Sequence, residues 1–149
     1  MGPLSSVIRD PAKLRAVVDD GVRVIDAEVA SKRGLSGVAV KAAFKAVKKV
    51  KPNFARMALH HLMPDFARQV DPFVTDWQTK GQGSLRDYFI AHDRAIANAL
   101  LAITDARSRN AQNRGVKKAY DSLRPKGLEH TRVAMPRLGE MVARHLQGS

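Results

Sequence analysis

Lysine is the residue type through which this sequence offers its clearest chemistry. Lys41, Lys45, Lys48 and Lys49 fall within nine residues, and residues 32–64 hold eight lysine or arginine residues and no carboxylate. Ammonium groups spaced in this way on a helix can bind an anionic partner. Lysines that only keep one helix face in water are the alternative, but such helices intersperse both signs of charge to gain i,i+4 pairs. An anionic partner is therefore the simplest explanation for the missing carboxylates.

A second cationic stretch lies much further along the chain. Residues 106–126 hold seven lysine or arginine residues against one carboxylate, and the two stretches together carry +14 where the whole chain carries +12. The remainder of the chain is therefore slightly acidic, and we expect the cations of the two stretches to form one broad positive face or two matched ones on the exterior. The residues expected to bind an anion or nucleic acid are Lys41, Lys45, Lys48, Lys49, Lys51, Arg56, Arg114, Lys117, Lys118, Arg124 and Lys126.

The histidines do not form a catalytic or metal-binding pattern. His60 and His61 are adjacent, so on a helix they point about 100° apart and cannot clamp one metal ion as an i,i+4 pair can. His92 falls on an apolar stripe, where a hydrogen-bonded core histidine is the ordinary outcome. Residues 32–37, KRGLSG, could hold a phosphate at a helix N-terminus, but they lack the spacing of a P-loop and favour a turn between helices. We therefore predict a protein that is not an enzyme, with no catalytic residue, metal ion or cofactor.

The elements that must position the cations are helices, because no useful length of chain alternates apolar and polar residues with the period of a strand. Asp10 before Pro11 predicts a helix start, and Ser36 is the expected N-cap of a helix over about 37–50. That helix would place its four lysines on the arc beside its buried face. The expected buried residues are Val40, Ala43, Phe44, Val47 and Val50.

Prolines predict where the later helices are interrupted. Asn53 would cap a short helix through Leu62, Pro64 would begin another that Pro72 kinks, and prolines 125 and 136 would separate the last short helices. Ser84 would cap the most regular helix, about 85–109. We predict one all-α domain over residues 1–149, a helical bundle of about seven or eight helices around this long central helix. The apolar stripe of the central helix is Leu85, Phe89, His92, Ile96, Ala99, Leu100 and Ile103.

Two parts of the chain echo one another. A shift of 76 residues lays VKAAFKAVK, residues 40–48, over VKKAYDSLR, residues 116–124, and prolines follow both segments. Residues 38–66 and 114–138 would then be the two halves of an internal repeat. Amphipathic helices also resemble one another by composition alone, so the sequence leaves both explanations open.

One long segment carries a family resemblance. Residues 85–108, LRDYFIAHDRAIANALLAITDARS, are followed by VKKAYDSLRP and AMPRLG. With these segments, the chain from about Gly34 to Leu138 resembles a family of small helical bacterial proteins classed only as a domain of unknown function. The resemblance implies a helical bacterial cytosolic protein and transfers no catalytic residue.

Composition limits the compartment and the function. The chain has no cysteine, which suits a reducing compartment, and no apolar run near the 18 residues of a membrane span, so we expect a cytoplasmic protein without a transmembrane segment. The leading hypothesis is non-enzymatic binding of a polyanion, most of all nucleic acid, through phosphate contacts. The first alternative is a structural or adaptor protein that docks an acidic protein or self-associates, and the second is a protein that binds anionic membrane surfaces. An enzyme that acts on an anionic substrate is the last alternative.

Overall fold

Residues 1–147, which the computed structural model of the chain describes, contain nine α-helices and no strand. The all-α, single-domain bundle expected from the sequence is therefore confirmed. A 3-10 turn, Arg124–Lys126, links the seventh helix to the eighth. The helices are α1 (Pro3–Val7), α2 (Pro11–Ser31), α3 (Gly34–Val50), α4 (Phe54–Lys80), α5 (Leu85–Ala91), α6 (Asp93–Arg109), α7 (Arg114–Leu123), α8 (Gly127–Val133) and α9 (Met135–Gln147).

Six helices, α1, α2, α4, α5, α6 and α9, share the hydrophobic core and are called the core bundle below. The most extensive contact joins α5 to α9. It is close because Gly139 has no side chain: a Cβ atom there would lie 2.7 Å from the Cα atom of Arg86. The largest fully buried side chains all come from this bundle. They are Phe89, Leu85, Ile96, Met135, Val17, Val18 and Val74.

The first helix, α1, was not anticipated from the sequence, and a buried carboxylate holds it in place. Asp71 of α4 accepts hydrogen bonds from the backbone N–H of Leu4, at 2.7 Å, and from that of Ser5, at 3.3 Å. The Ser5 hydroxyl donates to the other oxygen of the same carboxylate. A carboxylate at this position satisfies N–H groups that a helix N-terminus leaves unpaired. Asp71 therefore caps α1 from a distance of 66 residues or more along the chain.

The prediction that Pro64 begins a new helix is wrong, because Pro64 and Pro72 both lie inside the continuous helix α4. Each proline removes one backbone hydrogen bond and costs about 3 kcal/mol in a helix interior. Both are exposed, so water can reach the carbonyl groups that lose their donors. The opposite face of the same turns is buried in the core, and this burial outweighs the local cost. The buried residues are Met63, Ala67, Val70 and Val74.

The expected central helix over about 85–109 is divided at His92 into α5 and α6, which corrects the sequence-based prediction. The His92 ring stacks on that of Tyr88 at 4.0 Å between centroids, and its Nδ1 lies 3.0 Å from the Tyr88 carbonyl oxygen. Asp93 then accepts a hydrogen bond from the N–H of Arg94 at 2.7 Å. These local bonds compete with helix continuation. The division lets α5 pack on α9 while α6 packs on α4 and α8.

The two echoed stretches differ at their second proline. Pro136 stands at the second position of α9, as expected, whereas Pro64 lies in the middle of α4. The internal repeat over residues 38–66 and 114–138 therefore stays a prediction.

Candidate anion-binding surface

The two cationic stretches of the sequence lie side by side in the structure. Helix α3 packs against α7, while α7 and α8 pack against α6. We call α3, α7, the 3-10 turn and α8 the basic layer. Neither α7 nor α8 has a fully buried residue, and α3 has only Gly37 and Val40, so this layer mostly covers the core bundle. Leu128 of α8 is partly buried and packs against the core.

Arg124 fastens the basic layer to α6. Its Nε and Nη2 atoms donate to the two carboxylate oxygens of Asp105 at 2.8 and 3.2 Å. The Tyr120 hydroxyl also donates to Asp105, and it lies 2.8 Å from Thr104 Oγ1. The hydrogen bond from Arg124 lowers the pKa of Asp105, while burial and the Asp105 carboxylate raise the pKa of Tyr120. Arg124, one of the expected anion-binding residues, thus has a structural partner.

Arg109 lies four residues after Asp105 on the same helix, a spacing at which ion pairs form. No ion pair joins them within the described residues, and Asp105 uses both carboxylate oxygens on Arg124 instead. A bidentate contact from another helix has a fixed geometry that a flexible i,i+4 pair lacks.

A second contact fastens the start of α3 to α8. Ser36 Oγ lies 2.8 Å from His130 Nε2. Burial lowers the pKa of His130, and the cation of Lys32 lowers it further. The ring is therefore neutral, and its Nε2 atom can accept a hydrogen bond from the Ser36 hydroxyl. The expected N-cap role of Ser36 is therefore wrong: α3 begins at Gly34, and the serine bonds across to another helix. Gly37 permits the early start, since a Cβ atom there would lie 2.7 Å from the Lys32 carbonyl carbon.

A buried carboxylate lies close to this contact. Glu28 of α2 is 8% exposed, and it pairs with Lys32 at 3.4 Å and with Arg137 of α9. Lys32 also acts electrostatically on His130. The end of α2 and the starts of α3 and α9 are thereby joined through polar groups rather than through the apolar core.

Four further expected binding residues have carboxylate partners at the surface. In each pair both side chains are more than two-fifths exposed. Exposed ion pairs contribute about 0–1 kcal/mol each, so an anionic ligand can replace the carboxylate at little cost. The pairs are Lys48 with Asp26 at 3.6 Å, Arg56 with Asp19, Lys117 with Asp121 at 3.6 Å, and Lys126 with Glu129 at 3.9 Å.

The other six expected binding residues have no ion pair within residues 1–147. The last turn of α3 favours a cation, because the free carbonyl groups there carry partial negative charge. That accounts for part of the charge near its C-terminus but not for Lys41 and Lys45, which lie in the middle of the helix. Four of the six belong to α3 or its C-cap. The six are Lys41, Lys45, Lys49, Lys51, Arg114 and Lys118.

The outer face of α3 carries a second feature that the sequence reasoning missed, a strip of exposed apolar side chains. Leu35 is 92% exposed and Val38 is 66% exposed. Val50 was expected on the buried face but is 59% exposed. Steps of 100° place the strip opposite Val40 and next to the lysine arc. A helical wheel could have shown this second apolar arc. Its members, called the apolar strip below, are Leu35, Val38, Ala39, Ala42, Ala46 and Val50.

The remaining candidate groups do not assemble into a site. Within residues 1–147, no group of three or more His, Asp or Glu side chains is arranged to hold a metal ion. His60 and His61 are exposed, with ring centroids 6.0 Å apart and edge to face. An open groove of about 1150 Å³ lies between α1 and α4, but its buried carboxylate, Asp71, already caps α1.

The comparison with family models decides the affiliation. The model described as Family of unknown function (DUF6918) matches residues 4–146, nearly the whole chain. The chain belongs to this family. The resemblance inferred from residues 34–138 to a domain of unknown function is thereby confirmed, and membership of DUF6918 assigns no activity. No curated protein and no solved structure matches the chain.

Among residues 1–147, no helix combines the length and the apolar character needed to cross a lipid bilayer.

Proposed function

We propose that this DUF6918 protein binds nucleic acid without catalysis, through contacts between phosphate groups and the lysines of α3. The observation that supports the proposal is the charge of this helix: Lys41, Lys45 and Lys49 have no ion pair in the described chain, and α3 contains no carboxylate. A row of unpaired ammonium groups repels itself unless an anion neutralises it. The phosphate backbone of a nucleic acid is such an anion.

Binding releases counterions from the nucleic acid, and this release would drive the association. Lys41, Lys45, Lys49 and Lys51 are available at once, and Lys48 becomes available when its exposed pair with Asp26 opens. Engagement of about five phosphates predicts a log–log salt slope near −4.5 on duplex DNA.

The proposed contacts do not read bases. The aromatic residue of α3, Phe44, is half-buried, so it offers no open ring on which a base could stack. Lysine contacts to phosphate carry no sequence information of their own. We therefore expect similar affinities for DNA duplexes of different sequence at one salt concentration.

The decisive experiment measures DNA and RNA binding across a salt series for two charge-reversal variants. Lys41→Glu/Lys45→Glu/Lys49→Glu should bind at least about tenfold more weakly and lose about three units of salt slope. The matched control, Arg9→Glu/Lys13→Glu/Arg15→Glu, makes the same change of net charge at exposed positions without ion pairs in the described chain. It should keep most of the affinity. Equal losses in the two variants would show that net charge alone drives the binding.

We further propose that this binding takes place in the cytoplasm of a bacterium. The resemblance noted in the sequence implies a bacterial cytosolic protein, and the absence of cysteine suits a reducing compartment. Fractionation of cells that express the chain at its natural level should recover it with cytoplasmic nucleic acid, and nuclease treatment should release it.

A further inference from the structure

The apolar strip on α3 needs an explanation that phosphate binding does not supply. Three of its side chains, Leu35, Val38 and Val50, are among the most exposed large apolar residues of the described chain. Exposed apolar residues that occur singly are normal, but a contiguous strip marks an interaction site. The helix has 17 residues, so the strip is about 25 Å long. Phosphate groups would leave it in water.

The charges beside the strip limit what can cover it. A second copy of the chain would bring the lysines of two α3 helices together, with no carboxylate on either helix to compensate. Like charges in contact destabilise such an interface. The complementary occupant is therefore one that offers apolar material flanked by negative charge.

The shape of the surface further limits which kind of partner can cover the apolar strip. A helical peptide partner usually lies in an apolar groove. The strip instead lies on the outward side of a single helix, and the groove described above lies between α1 and α4. A convex apolar ridge with lysines alongside matches the interface of an anionic bilayer. There the apolar side chains enter the acyl boundary while long lysine side chains reach the headgroups.

We propose that α3 docks lengthwise on an anionic lipid surface. Leu35, Val38 and Val50 enter the interface, while Lys45 and Lys49 contact the anionic headgroups. Arg33 and Lys51, at the two ends of the helix, add cations at the headgroup level. This inference goes beyond the proposed binding of nucleic acid. The two ligands share the lysines, but only lipid uses the apolar strip.

Co-sedimentation with vesicles tests the proposal. The chain should bind vesicles of phosphatidylcholine mixed with phosphatidylglycerol and should not bind vesicles of phosphatidylcholine alone. Leu35→Ser/Val38→Ser should weaken vesicle binding about tenfold or more, since two buried apolar side chains are lost from the interface. The same variant should bind DNA as the native chain does. DNA added to bound vesicles should release the protein, because both ligands need the lysines.

Matched variants separate apolar docking from charge and from misfolding. Ile90→Ser removes an exposed side chain of the same size as Leu35 from α5 and should leave vesicle binding unchanged. Ala46→Glu places a carboxylate in the strip at an exposed position and should abolish binding. Thermal melts should show that each variant folds, since none of these positions enters the core.

Three results would overturn the proposal: no binding to anionic vesicles, undiminished vesicle binding by Leu35→Ser/Val38→Ser, or a concentration-dependent mass that this variant abolishes. The last result would identify a second copy as the occupant. Each can occur while DNA binding by the native chain persists, so failure of lipid docking is distinguishable from failure of the proposed function.

Discussion

The core bundle and the basic layer are both helical but use their side chains differently. In the core bundle, α2 and α4 each bury several apolar residues, and α5 and α9 approach closely at Gly139. In the basic layer, α7 and α8 have no fully buried residue, Leu128 of α8 packs against the core, and polar contacts through Asp105 and His130 add to the attachment. The core bundle is held by extensive apolar burial, and the basic layer by less apolar burial together with a few directional bonds.

The two regions also differ in how their charged side chains are paired. Carboxylates of the core bundle have defined partners: Asp71 caps α1, and Asp20 pairs with Arg144 and lies 2.9 Å from His145. Helix α3 has no carboxylate, and three of its four lysines have no ion pair in the described chain. Residues that contribute little to folding are free to serve binding. This difference supports our proposal that the basic layer binds the anionic ligand and that the core bundle supports it.

Truncation of one phenylalanine in each region should give the largest contrast in stability. Phe89→Ala removes a side chain that is 1% exposed and should lower the free energy of unfolding by about 3–5 kcal/mol. Phe44→Ala removes a half-buried side chain of α3 and should cost only about 1–2 kcal/mol, because folding removes less of the apolar area of Phe44 from water. Urea unfolding measures both values. Equal losses would mean that the basic layer belongs to the same core.

Replacement of a glycine by alanine should change the free energy of unfolding in opposite directions in the two regions. Gly139→Ala brings a Cβ atom within 2.7 Å of the Arg86 backbone and should destabilise the protein by about 1–3 kcal/mol. Gly127→Ala, at the start of α8, meets its nearest atoms at 3.6 Å and should stabilise by about 0.4–1 kcal/mol. Each kcal/mol shifts the melting temperature of a chain of this size by about 2–4 °C. Destabilisation by Gly127→Ala would show that the basic layer is packed as closely as the core bundle.

The helical fold could be predicted because helix starts and apolar stripes are local signals. Asp10 caps α2 through the N–H of Ala12 at 2.8 Å, and Ser84 caps α5 through that of Asp87 at 3.0 Å, as their positions in the sequence indicated. The helix start predicted at Pro64 was wrong, and the division at His92 was not predicted. In the first case core packing on both sides of the proline overrode its local cost. In the second case, the stack of Tyr88 on His92 and the two packing directions of α5 and α6 favoured a division that periodicity does not show.

The candidate surface was predictable in its composition but not in its partners. The lysines of α3 could be identified from the sequence because a run of residues without a carboxylate can be read directly from the order of residues. It could not show that Arg124 is bound to Asp105, since that pair joins residues 19 positions apart on different helices. It also could not show which apolar arc of α3 faces water, because that depends on where α7 packs. The ion-pair partner of a side chain and its exposure to water both depend on the tertiary structure.

Loss of one hydroxyl group should loosen the basic layer alone. Tyr120→Phe removes the hydrogen bonds to Asp105 and Thr104 and should cost about 1 kcal/mol. Native-state hydrogen exchange should then show faster exchange in α7, with α9 unchanged. Tyr88→Phe is the matched control, since it removes a 2.5 Å bond to Asp76 within the core bundle. It should leave α7 protection as it is. Faster exchange in α9 as well would mean that the two regions open together.

Acid should weaken the contact between α3 and α8 through His130. We expect this effect on stability to be the smallest of the four predicted in this section. Burial holds the folded-state pKa of His130 below its ordinary value of 6.5, and the cations of Lys32 and Lys126 act in the same direction against Glu129 and Glu28. The unfolded chain therefore takes up the proton more readily. The stability due to the neutral ring is present above about pH 6.5 and is lost as the pH falls through the folded-state pKa.

A variant without this titration tests the assignment. His130→Gln should be less stable than the native chain at about pH 8, and the gap should narrow at about pH 5, because only the native chain loses the contribution of the neutral ring there. Urea midpoints at the two pH values give this double difference, in which the titration of the other four histidines cancels. Because Ser36 is bonded to His130, the amides of α3 are the ones whose protection factors, which correct for the pH dependence of intrinsic exchange, should fall in acid. A gap that stays constant with pH would mean that protonation of His130 does not disturb the attachment of α3.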